Sequence, residues 1–119
     1  MTVEAHNAAY AEMLEDTPRL ARERERAAIE RAIELLHLAQ EKGAGSREAA
    51  EALLYLNRLW SIFMEDLGSA ENDLPRELRA NLISIGIWVM REVDQIRSGQ
   101  SVNFSALIGV MKTIGEGLR

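Results

Sequence analysis

Residues 53–67 read Leu53-Leu54-Tyr55-Leu56-Asn57-Arg58-Leu59-Trp60-Ser61-Ile62-Phe63-Met64-Glu65-Asp66-Leu67, and Leu53, Leu56, Trp60, Phe63 and Leu67 recur at intervals of 3, 4, 3 and 4. This is the period of one helix face, and no alternation of period two competes with it. Ala49, Ala52, Leu59 and Ile62 form a second stripe, so the helix is apolar over more than one face. Ser46 supplies an N-cap before it. The polar stretch Gly68 to Asp73 ends it, and Pro75 opens the next helix.

The same period extends in both directions. From Pro75 to about Ser98, Leu78, Leu82, Ile85, Val89, Val93 and Ile96 share a stripe, with Ile83, Ile87, Trp88 and Met90 beside it. An all-round apolar middle predicts the central helix of a bundle. Gly86 lies inside it, where glycine costs roughly 1 kcal/mol against alanine, so a close helix crossing is expected there. Upstream, Ile29, Ile33 and Leu36 with Ala32 and Ala39 mark a helix over Pro18 to Lys42, stopped by Gly43 and Gly45. Thr17-Pro18 reads as its N-cap and first position. A short helix, Val3 to about Leu14, is expected before it, anchored by Tyr10, Met13 and Leu14. A last helix, from Asn103 or Phe104 to Leu118, carries Phe104, Leu107, Met111, Ile114 and Leu118, weakened by Gly109, Gly115 and Gly117. The expectation is an all-α, compact bundle of about five helices in one domain spanning residues 1–119.

Composition narrows the chemistry. The 119 residues are 47% apolar and 28% charged, which excludes a disordered chain. A compact monomer of this mass exposes roughly 6,400 Å². There is no cysteine, so disulfides and thiolate metal sites are excluded. Fourteen basic against nineteen acidic residues give a net charge of −5, unfavourable for holding phosphate backbones. Arg19, Arg22, Arg24 and Arg26 alternate with Glu23 and Glu25, and Arg19/Glu23 and Arg26/Glu30 fall at i, i+4, the pattern of a solvated face. No aromatic stands beside a basic patch, so no specific nucleic-acid contact is expected. The uncharged run Ala80 to Met90 has 11 residues, against the roughly 20 that span a bilayer, and the N-terminus has no export signal. No membrane insertion and a cytoplasmic location are expected.

Catalytic candidates are few. Histidine occurs only at His6 and His37. Glu34 and His37 make one Glu-x-x-His, where a di-iron bundle needs two copies and two further glutamates. No nucleophile elbow, phosphate loop or dinucleotide fingerprint is present. No catalytic residue, metal or cofactor is expected, and a small helical enzyme is the least favoured reading.

The stretch from Leu56 to Leu67, followed by Asn72-Asp73-Leu74-Pro75-Arg76-Glu77-Leu78-Arg79-Ala80-Asn81-Leu82-Ile83-Ser84-Ile85-Gly86-Ile87-Trp88-Val89, resembles the alphaproteobacterial flagellar biosynthesis regulators of the FlaF family. Tyr10, Thr17-Pro18-Arg19 and the closing Ile114-Gly115-Glu116-Gly117-Leu118 support the likeness. The resemblance implies a regulator that promotes flagellin synthesis and export and opposes FlbT, which restrains flagellin translation. It implies flagellin as a partner, bound as by a secretion chaperone, with FlbT as a second partner and the chain a monomer or weak dimer. The rival reading is an RNA-associated regulator of the flagellin messenger acting with FlbT. Within the matching stretch, Asn57, Arg58, Trp60, Phe63, Asn72, Arg79, Asn81 and Trp88 are the candidate partner-binding residues. Each has a structural alternative. Trp60, Phe63 and Trp88 sit at core spacing, Asn57 suits an interhelical hydrogen bond, Asn72 suits the turn before Pro75, and Arg79 suits an ion pair with Asp66 or Glu77.

Overall fold

A computed structural model describes the backbone of residues 3–117 and the side chains of residues 23–117. Four helices follow one another: α1, Val3–Lys42; α2, Arg47–Leu67; α3, Arg76–Arg97; and α4, Phe104–Gly117. No strand occurs among the described residues. The all-α expectation holds, with four helices in place of about five.

The difference lies at Thr17-Pro18, where α1 continues without a break. A proline at a helix start and one inside a helix give the same local sequence. Inside, it removes a single N–H donor and its ring crowds the carbonyl four residues back, at a cost of ~3 kcal/mol. The flanks are rich in alanine, glutamate and arginine and contain no glycine before Gly43, so nothing else favours an end there. Tyr10, Met13 and Leu14, expected as anchors, and Leu118 lie outside the described side chains, as does the Arg19/Glu23 pair.

The other boundaries fall where glycine, serine and proline placed them. Gly43 takes φ +97°, the left-handed region that admits glycine without strain, and its N–H donates to the Ala39 carbonyl at 2.8 Å. Ser46 then works in two directions. Its hydroxyl donates to the Gly43 carbonyl at 2.6 Å, and its oxygen accepts the Ala49 N–H at 3.1 Å. This fixes the sharp reversal between α1 and α2. Gly99, with φ +79°, closes α3 in the same way, and Asn103 caps α4 by accepting the Ala106 N–H at 3.3 Å.

The core is one cluster. Ile29, Leu36 and Ala39 of α1 meet Ala52, Leu56 and Trp60 of α2, Val89, Val93 and Ile96 of α3, and Phe104, Leu107 and Met111 of α4. No polar or charged residue is buried among the described residues. α1 and α2 form the central pair; α4 packs on α1, and α3 packs on α2. The expectation that the Pro75–Ser98 helix is central is therefore corrected. In α3 only Gly86, Val89, Val93 and Ile96 are buried. All-round apolarity marks burial only when neighbours exist on every side, and α3 lies on a flank.

α4 is short, at 14 residues, and Gly109 sits in its exposed middle. A Cβ built at Gly109 meets nothing within 4 Å. Gly109→Ala is therefore expected to raise stability by about 0.5–1 kcal/mol, seen as a thermal midpoint a few degrees higher. A lowered midpoint would show that α4 needs the bare backbone. Gly115, by contrast, faces Ile29, whose Cγ2 would stand 3.2 Å from a new Cβ. There glycine permits the approach of α4 to α1.

Candidate partner-binding surface

The matching stretch places its candidate residues in several different settings. Trp60 is 1% exposed and belongs to the core. Its indole N–H points at the Met111 sulfur, with Nε1 3.3 Å from Sδ, which gives a buried donor a weak but real acceptor. Phe63, half-buried, meets Trp60 edge to face with ring centroids 5.5 Å apart and planes at 86°. Gly86 of α3 presses on the same indole. A Cβ there would overlap the Met64 sulfur and stand 3.0 Å from Trp60 Cε3. The expected close crossing at Gly86 is thus the seat of α3 on α2.

Asn72 is committed to the turn between α2 and α3. Its Nδ2 donates to the Asp66 carbonyl at 3.2 Å and to the Asp66 carboxylate at 3.4 Å, and its Oδ1 accepts the Leu74 N–H at 3.0 Å. The Asp66 carboxylate is thereby engaged, and Arg79 forms no ion pair with it or with Glu77. Arg79 is half-buried, seven residues before Gly86 and so on the α2-facing side of α3. Asn57 is also half-buried. Its backbone carbonyl accepts the Ser61 hydroxyl at 2.7 Å, but its side chain makes no interhelical hydrogen bond among the described residues.

Arg58, Asn81 and Trp88 face outward. Arg58 lines a depression of about 310 Å³ between α1 and α2 with Arg31, Leu35, Glu51, Leu54 and Tyr55. Trp88 is 37% exposed, although its spacing suits a core position. The reason is angular: at about 100° per residue, Trp88 lies about 200° round α3 from Gly86, on the side away from α2. Asn81 stands two turns before it on the same face. The structure therefore joins Trp60 with Phe63, and Asn81 with Trp88, and separates the two pairs.

Sequence reasoning missed the apolar residues left uncovered. Leu78, 44% exposed, opens the α3 stripe that continues through half-buried Leu82 and Ile85 into buried Val89 and Val93. Leu74 just before it, and Leu54 and Ile62 on α2, are exposed as well. The only available signal was the excess of apolar residues on α3 over what one neighbour can cover.

Polar chemistry is sparse. His37 is exposed, and the Glu34 carboxylate accepts from Arg31 Nη1 at 3.1 Å. No group of three His, Cys, Asp or Glu residues is placed to hold a metal among the described residues. No described helix is long and apolar enough to cross a membrane. What the surface offers is exposed apolar side chains with isolated polar neighbours. No curated protein and no solved structure matches the chain. The family model described as flagellar protein FlaF matches residues 6–118, nearly the whole length, and the chain belongs to the FlaF family of flagellar proteins.

Proposed function

We propose that this protein promotes flagellin synthesis and export by binding flagellin in the cytoplasm, as a chaperone-like adaptor without catalysis. The observation that carries the reading is the α3 stripe. Val89, Val93 and Ile96 are at most 2% exposed, whereas Leu78, on the same stripe, is 44% exposed. One helix face thus runs from core to open surface. An amphipathic partner helix laid over Leu78, Leu82 and Ile85 would extend the core by two turns. Half-buried Arg79, which has no ion pair among the described residues, stands beside the stripe as a polar anchor.

Calorimetry with purified flagellin, and gel shift with flagellin leader RNA, each at two salt concentrations, test the reading. Flagellin binding that survives salt is expected, because apolar burial is insensitive to it while phosphate contacts weaken steeply. Leu78→Asp should weaken flagellin binding at least tenfold, since a carboxylate would be desolvated at the contact. Arg79→Ala should weaken it without unfolding the domain. Absent flagellin binding, with tight and sequence-selective RNA binding, would instead favour the messenger-bound regulator acting with FlbT.

A further inference from the structure

The face of α3 that carries Trp88 points away from both α2 and the Leu78 stripe. We infer that it is a self-association surface, on which a second copy of this chain packs its own α3 antiparallel about a two-fold axis at Ser84. Glu77, Ala80, Ser84, Ile87, Trp88 and Arg91 are all exposed. Their spacing of 3, 4, 3, 1 and 3 residues follows one side of a helix over about 21 Å. Ile87 is 45% exposed and Trp88 37%, large apolar side chains with no cover from within the chain. One and two turns earlier the same face carries the smaller Ser84, Ala80 and Asn81. A bulky end and a narrow end on one helix suit a copy turned end for end.

The pairing register follows from the two-fold axis. With Ser84 opposite Ser84 of the second copy, facing residues have numbers that sum to about 168. Trp88 then covers Ala80, and Ile87 covers Asn81. Glu77 meets Arg91 at both ends of the contact. Neither Glu77 nor Arg91 has an ion-pair partner among the described residues of its own chain. The opposite, parallel arrangement would set Glu77 against Glu77, Arg91 against Arg91 and indole against indole. Charge and shape therefore select the antiparallel copy. One helix pair is a small interface, so the dimer forms and separates with concentration. The inference is independent of flagellin binding, because the two apolar strips lie on different sides of α3.

Sedimentation equilibrium of the full chain over a wide concentration range tests it. A dimer fraction rising with concentration is expected. Glu77→Arg and Arg91→Glu should each weaken association by about tenfold, since each change turns two attractive pairs into repulsive ones. The double variant Glu77→Arg/Arg91→Glu should return to within about threefold of the parent, because the swapped charges face each other again. Circular dichroism, unchanged in all three, separates lost association from lost folding. A chain that stays monomeric throughout, single variants that associate like the parent, or a double variant no better than the singles would each overturn the inference.

Discussion

Trp60→Ala is expected to cost about 3–5 kcal/mol, a large share of the roughly 5–15 kcal/mol that holds a domain of this size folded. Three elements depend on this one side chain. Phe63 rests its ring on the indole edge, Met111 of α4 takes the indole N–H, and the Gly86 backbone of α3 closes over the ring. Alanine would leave a cavity between α2, α3 and α4 that none of them can fill without leaving its own seat. Chemical denaturation followed by far-ultraviolet dichroism measures the effect. Trp60→Phe keeps a six-membered ring in the core and loses the five-membered ring with its N–H donor, so it should cost markedly less. Equal losses for the two would mean that the five-membered ring and its hydrogen bond outweigh the rest of the packing. An unchanged midpoint in the alanine variant would mean that Trp60 is not central to the core.

Gly86→Leu should destabilise the protein by about 1–2 kcal/mol. A larger helix propensity, worth roughly 0.8 kcal/mol, acts in its favour. Against it stands the packing. Even the first added carbon would overlap the Met64 sulfur and press the Trp60 ring from 3.0 and 3.2 Å. Met64 is half-exposed, and its flexible end can swing aside. Trp60 is buried and held by Phe63 and Met111, so it cannot. Alanine should therefore come out near neutral, its propensity gain offset by a tight contact. Leucine adds three further carbons in the same place, and overpacking of that size costs about 1–3 kcal/mol or more. Thermal unfolding of the two variants beside the parent decides the matter. A raised midpoint for leucine would show that α3 does not seat on α2 through this glycine.

How much of this was legible before any coordinates depended on the kind of signal. The ends at Lys42, Leu67 and Arg97 were legible because Gly43, Ser46, Pro75 and Gly99 act through their own backbone or side chain, with no help from distant residues. Gly86 was legible because a costly residue inside a helix needs a neighbour that justifies it. Thr17-Pro18 misled because a proline states where a helix can begin without stating that it does. The candidate site divided along the same line. The role of Asn72 in the turn was readable from its distance to Pro75. The engagement of Asp66 by Asn72, which leaves Arg79 without that carboxylate, arises from a fold of the loop that periodicity does not encode. Trp60 and Trp88 look alike in a sequence, the first set among leucine and isoleucine and the second among isoleucine and valine. Only the position of α2 around α3 makes one a core residue and the other a surface residue.

The placement of α4 bears on the order in which the protein assembles and comes apart. α1 meets α2, and α2 meets α3, across short turns, so those contacts join stretches close together in the chain. α4 rests on α1, where Gly115 meets Ile29, 86 positions earlier in the chain. Closing a loop of that size costs about 2 kcal/mol more entropy than closing the ten-residue hairpin between Ala39 and Ala49. It is repaid only after α1 and α2 are already in place to receive α4. By this entropy difference the α1–α2 and α2–α3 contacts are expected to form early in folding and the docking of α4 on α1 late.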